Sequence, residues 1–134
     1  MYLVDTSVWV EVFRRPARID LTAKIDFDQI VTCLPVVQEV LQGFADERAF
    51  LTARTAMSAL PIVESPLEEG VFHEAVHLYR SARRLGVTIR SGVDCLIAAC
   101  ALRHQLTVLH HDRDFDRLAR FAPLRVRKVL PRGG

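Results

Sequence analysis

Tyr2-Leu3-Val4-Asp5-Thr6-Ser7 opens the chain, and Val8-Trp9-Val10-Glu11-Val12-Phe13 follows without a break. The apolar start reads as a short buried strand that ends abruptly in a carboxylate, and the run from Ser7 to Phe13 reads as a helix. An acid at the carboxyl end of a strand in an α/β sheet faces the crevice where such folds bind ligands. The same pattern returns near the other end, where Leu106-Thr107-Val108-Leu109 runs into His110-His111-Asp112 and then a helix. Two strand-end aspartates so far apart in sequence point to one shared site.

Between these ends, strands and helices alternate. Residues 29–34 form a second strand candidate, with Pro35 placed for the first turn of the next helix. Val36, Val37, Val40, Leu41 and Phe44 follow helical spacing, which leaves Gln38, Glu39 and Gln42 off the apolar stripe. Asp46 is an N-cap candidate for a helix to about residue 59. A third strand is expected over 60–63. A long helix should open at Pro66 and stop at Gly86, with Val71, Ala75, Leu78 and Tyr79 facing the core. Ser91 or Gly92 starts a helix through His104. A strand over 107–109, a short helix over 114–121 and a strand over 124–129 complete the series, and 131–134 should fray. The alternation predicts an α/β fold: one domain over 1–134, with a mostly parallel central sheet of about five strands flanked by helices.

Half of the 134 residues are hydrophobic, ample for a core. No apolar run reaches the ~20 residues that span a bilayer, and no signal-peptide pattern opens the chain, so a cytoplasmic protein with no membrane partner is expected. Cys33, Cys95 and Cys100 lie in apolar segments without metal-ligand spacing and read as buried thiols. The net charge is only +2. Basic residues are nearly all arginine, Lys24 and Lys128 being the lysines. Arginine matches phosphate bidentately, although a GC-rich genome produces the same bias. Gathering four of the 16 acids into one cleft leaves the 18 Lys and Arg residues in excess on the remaining surface. A basic body around a negative pocket suits a polyanion attacked at a metal.

In a parallel sheet all strand carboxyl ends share one edge. Asp5 and Asp112 end two strands, Glu39 follows strand two by about one turn, and Asp94 lies in the first turn of its helix. Carboxylates gathered there repel one another and raise each other's pKa. A cation resolves the conflict, and hard oxygen ligands favour Mg²⁺ or Mn²⁺ over zinc. Such a site can hold a phosphodiester and lower the pKa of an attacking water. The plainer reading is capping: Asp5 for the first helix, Asp112 and Asp114 for the last, Asp94 for its own dipole. Joint placement favours the functional reading over any single position.

Four blocks in order now carry a resemblance: Val4-Asp5-Thr6-Ser7, Val37-Gln38-Glu39-Val40, Gly92-Val93-Asp94-Cys95-Leu96-Ile97-Ala98-Ala99, and His111-Asp112-Arg113-Asp114-Phe115. Together they resemble the PIN-domain nucleases, specifically VapC-type toxins of bacterial toxin–antitoxin pairs, across nearly the whole chain. The resemblance implies a metal-dependent endoribonuclease that cleaves RNA, with tRNA or ribosomal RNA as target. It implies Asp5, Glu39, Asp94 and Asp112 as the catalytic acids, with Asp5, Asp94 and Asp112 on Mg²⁺ or its substitute Mn²⁺. Thr6 or Ser7 would orient the first aspartate, and Asp114 is a further supporting acid of lower rank. His111 stands where many relatives carry other polar or small residues. Homodimerisation is implied too, as is a neutralising antitoxin whose C-terminal segment enters the active-site groove.

Around the acids, Arg90 is expected on an RNA phosphate, and Arg113 on RNA or, as the better expectation, paired with a neighbouring acid. His110 and His111 are expected to be structural, and Trp9, Val12 and Phe13 to pack rather than stack on bases. Arg80, Arg83 and Arg84 form a basic run that reads as a solvated face. Competing functions are a phosphatase or receiver phosphoacceptor, a PIN nuclease of RNA processing outside toxin–antitoxin pairs, and a catalytically silent PIN-fold binding module. A receiver wants a lysine after a late strand, and neither lysine is placed for it. A phosphatase wants an aspartate two positions after Asp5, where Ser7 stands. Retention of all four acids argues against the silent module.

Overall fold

The computed structural model describes residues 1–133. Five strands form one parallel sheet: β1 (Tyr2–Val4), β2 (Ile30–Cys33), β3 (Ile62–Val63), β4 (Thr107–His110) and β5 (Arg125–Lys128), in the order β3-β2-β1-β4-β5. Register fixes the centre. Tyr2 pairs with Ile30 on one side and Thr107 on the other, and Leu3 with Val31 and Val108. The strand carrying Asp5 is therefore flanked by the strand leading to Asp112. The chain first winds outward from β1 to β2 and β3, then crosses back to β4 and β5. Parallel crossovers are right-handed, so this reversal puts helices on both faces and a topological switch point between β1 and β4, where open α/β sheets bind ligands.

Six helices connect the strands: α1 (Thr6–Phe13), α2 (Leu34–Gln42), α3 (Glu47–Ser58), α4 (Glu69–Arg84), α5 (Gly92–Arg103) and α6 (Arg113–Leu118). α1, α2 and α3 pack in succession, and α4, α5 and α6 pack on one another. The core runs through Leu3 and Val4 of β1 and Val108 and Leu109 of β4 to α5, whose Ile97, Ala98, Ala99, Cys100 and Ala101 are fully buried. Small residues let α5 lie close to its neighbours. Cys33, Cys95 and Cys100 are free and buried. Trp9 is buried and stacks on Phe13, which meets Phe44 edge-on. No helix is long and apolar enough to cross a membrane among the described residues.

Several boundaries differ from expectation for physical reasons. α2 starts at Leu34, because Pro35 fits a first turn that needs no donor; Glu39 therefore lies in the second turn, not the first. β3 loses Leu60, whose N–H bonds back to Met57 O at the end of α3. α4 starts at Glu69 rather than Pro66. Glu64 takes a left-handed φ of 54° and binds Arg103 Nε at 2.8 Å and His104 Nε2 at 2.9 Å, so the chain turns before the helix begins. Tyr79 of α4 is not a core residue like Val71, Ala75 and Leu78 but partly exposed. α6 starts one residue early, at Arg113, because Asp112 caps it, and ends at Leu118. Arg132, expected to fray, donates its N–H to Arg18 O (2.8 Å) and accepts from Arg18 Nε (3.0 Å); Gly134 lies outside the described residues.

Candidate active site

Asp5 leaves β1 and caps α1. Its Oδ2 accepts from the Ser7 N–H (3.0 Å) and the Ser7 hydroxyl (2.6 Å), while its Oδ1 is buried without a partner. Burial raises its pKa to about 6, opposed by the Ser7 bonds and reinforced by the Glu39 charge. The Ser7 hydroxyl also accepts the His111 N–H at 2.9 Å, so it ties the end of β1 to the end of β4. Thr6 turns the other way and donates to Glu39 Oε1 at 2.8 Å. Between the two hydroxyls expected to orient Asp5, only Ser7 does so; Thr6 holds Glu39.

Asp94 sits in the first turn of α5, but Ser91 is the cap, accepting from the Val93 N–H. The Asp94 carboxyl is therefore not used for capping. Burial comes first among the causes that raise its pKa to about 8, followed by the charges of Asp112 and Asp5 and a side-chain hydrogen bond with Asp114. Asp112 caps α6 through Oδ1, which accepts the Asp114 N–H at 3.0 Å. Its own N–H goes to His110 Nδ1 at 3.1 Å. Burial lowers the pKa of His110, keeping its ring neutral beside Phe115.

Asp94, Asp112 and Asp114 each offer a carboxylate oxygen within 4.8 Å of the others. Asp5 is not in that tightest set, though its charge acts on Asp94 and Glu39 acts on it in turn. Charge thus links Glu39 to Asp5 and Asp5 to Asp94, which itself lies with Asp112 and Asp114. Asp114 lies inside the tightest set and is its most fully engaged member. Its Oδ2 accepts the Arg90 N–H (3.0 Å) and its Oδ1 accepts Arg117 Nη1 (2.8 Å). Arg117 went unnoticed in the sequence; its only signal is the three-residue spacing to Asp114 on one helix face. The expected ion pair of Arg113 is not found among the described residues. Helix geometry points residue 117, not 113, back at Asp114, and Arg113 stands exposed. Arg90 is 71% exposed, with Nη2 3.6 Å from Asp112 Oδ1 at the mouth of the cluster.

A divalent cation fits this donor set on three counts. The donors are hard oxygens. Asp5 Oδ1 is an orphaned buried acceptor, which is costly unless something binds it. Asp94 is held protonated by burial and by its acidic neighbours, and a cation would take the place of that proton.

Comparison with known proteins agrees with this geometry. The PIN domain family model matches residues 2–121. Ribonuclease VapC11 of Mycobacterium tuberculosis is 38% identical over 130 residues, covering 92% of this chain and 96% of that protein. Ribonuclease VapC17 of the same organism is 33% identical over 127 residues, covering 91% and 90%. Among solved structures, DNA-bound VapBC from Salmonella typhimurium superposes with a TM-score of 0.76 at 16% identity, covering 95% of this chain and 96% of that one. Mycobacterium tuberculosis VapC20, a sarcin-ricin loop cleaving toxin, gives 0.70 at 18%, covering 93% and 99%. At those identities the structures attest the fold alone. By the extent of the family match and the identity to its VapC members, the chain belongs to the PIN-domain family, in its VapC ribonuclease branch.

Proposed function

We propose that this protein is a divalent-metal-dependent endoribonuclease, the toxin of a toxin–antitoxin pair, hydrolysing phosphodiesters of tRNA or ribosomal RNA. The observation that carries this reading is the cluster of Asp94, Asp112 and Asp114 at the carboxyl edge of the sheet, together with Asp5 Oδ1, which is buried and unpartnered. Asp5, Asp94 and Asp112 would hold Mg²⁺ or Mn²⁺. Asp114 spends both oxygens on Arg90 and Arg117 and serves as a positioning residue. When bound, the cation lowers the pKa of a water and stabilises charge on the phosphoryl oxygens.

The remaining chemistry falls to the chain. Ser7 fixes the Asp5 carboxylate so that Oδ1 faces the cluster rather than rotating away. Glu39, held by Thr6 through Oε1, offers Oε2 to orient the attacking water and take its proton. The water oxygen bonds to phosphorus, and the leaving ribose oxygen departs with the electron pair of the broken P–O bond. Arg90 at the mouth exchanges its long contact with Asp112 for a substrate phosphate, a charge-assisted bond stronger than the one it gives up; exposed Arg113 is a second candidate phosphate contact. A cognate antitoxin and a second copy of this chain are the proposed protein partners. The test is incubation of purified, antitoxin-free protein with total bacterial RNA in Mg²⁺, Mn²⁺ or EDTA, beside Asp5→Asn. Discrete products that need metal and vanish in the variant are expected. Binding of metal with no cleavage of any RNA would favour a silent binding module instead.

A further inference from the structure

His110 ends β4, where it pairs with Lys128 of β5 and accepts the Val129 N–H at 2.8 Å. There the ladder stops, and side chains take the next two N–H groups. Ser7 Oγ accepts the His111 N–H at 2.9 Å, and His110 Nδ1 accepts the Asp112 N–H at 3.1 Å. Asp112 is thereby fixed in extended backbone (φ −142°, ψ 128°), with Oδ1 on the Asp114 N–H and Oδ2 free of hydrogen bonds among the described residues. The direction in which Oδ2 faces a cation follows the backbone, and the N–H of that backbone is anchored by an imidazole nitrogen alone.

An imidazole is a demanding choice for this place. The side chain is fully buried. Because Nδ1 accepts, the neutral ring carries its proton on Nε2. That N–H has no hydrogen bond; Asp116 Oδ1 stands 3.5 Å away on a side chain 43% exposed. A buried donor left unsatisfied destabilises the fold, and a leucine would fill the same space without one. What a leucine cannot supply is the acceptor for Asp112. Burial and the Phe115 ring, 5.4 Å away and itself fully buried, keep the imidazole in the orientation that supplies it. Ser7 holds Asp5 and Thr6 holds Glu39 through their carboxylates; His110 holds Asp112 through its backbone.

We propose that His110 is a positioning residue of the cation site: its Nδ1 pins the Asp112 N–H and so aims the Asp112 carboxylate. This rests on Asp112 as a ligand in the reading above and adds what orients it. A cation tolerates ligand distances only within about 0.2 Å of its preference, so a small drift at Asp112 weakens binding. The test is calorimetric titration of Mn²⁺ into the metal-free wild type, His110→Asn, His110→Gln and His110→Leu, beside urea unfolding of each without metal. Asparagine can place an oxygen where Nδ1 stands but leaves a void where the ring was. Leucine fills the void and offers no acceptor, and glutamine puts its polar atoms nearer the place of Nε2. Affinity close to the wild type is therefore expected for His110→Asn despite lower stability. His110→Leu and His110→Gln should raise the Mn²⁺ dissociation constant by about ten- to a hundredfold, His110→Leu without a matching loss of stability. A merely structural residue would make affinity follow stability across the series. That order overturns the proposal, as does wild-type affinity in His110→Leu. A wild type that binds no Mn²⁺ defeats the metal reading itself and this proposal with it. Should a variant fail to fold, the wild-type ring decides: a two-bond ¹H–¹⁵N spectrum should show the proton on Nε2, and a proton on Nδ1 rejects the hydrogen bond to Asp112.

Discussion

Ser7 joins the two halves of the site through one hydroxyl, donating to Asp5 and accepting from the His111 N–H. Its position is forced by Asp5, because a residue at the second helical position of α1 can reach both its own cap and the neighbouring strand end. Asp94 is the opposite kind of residue: it caps nothing, and burial together with its acidic neighbours holds it neutral. For such a group the protonated form is favoured by folding, so the stability it contributes is complete below about pH 4 and is lost as pH rises through about 8. Asp94→Asn carries a neutral amide at every pH. Without metal it should be more stable than the wild type by roughly 1 kcal/mol near pH 9, with the gap narrower at pH 6 and closing only near pH 4, while losing cleavage. Thermal melts at both pH values check this; an equal gap at both would show that Asp94 does not titrate between them. Asp5 and Asp112 were legible as strand-end acids. The holders of Asp114 were less legible: the Arg90 N–H reaches it only through the fold, and Arg117 only through a three-residue spacing on α6.

At the scale of elements, α6 is short, and its first turn carries three acids, Asp112 as cap with Asp114 and Asp116 behind it. Arg117 offsets that crowding from the last turn. Arg117→Ala leaves Asp114 buried with one donor fewer. Because the arginine is partly solvated, solvent screens some of the loss, and a cost of about 1–2 kcal/mol in urea unfolding is expected. No change would mean that the Arg90 N–H alone satisfies Asp114. The same short elements explain why boundaries resisted sequence reading. Periodicity placed α2 but not its start, and the first turn, set by Pro35, decides that Glu39 stands in the second turn, within reach of Thr6. On α4, periodicity separated Val71, Ala75 and Leu78 as core but put Tyr79 with them. Spacing alone does not distinguish a residue at the edge of the core face from one on the open stripe with Phe72 and Val76.

For the whole molecule, strand alternation announced a parallel sheet, but its order is a set of long-range pairings that no local pattern encodes. That order makes the site: β1 at the centre with β4 beside it brings Asp5 and Asp112 to one switch point. Glu39 and Asp94 arrive there on the helices that follow β2 and precede β4. The claim that unites these scales is that the fold assembles carboxylates whose mutual conflict a divalent cation relieves. Calorimetric titration of Mn²⁺ into the metal-free protein near pH 7, in two buffers of different ionisation enthalpy, tests it most directly. Saturable binding that releases about one proton is expected, since Asp94 must ionise to become a ligand, and Asp94→Asn should abolish the release. No binding, or binding with no proton released, would contradict the account.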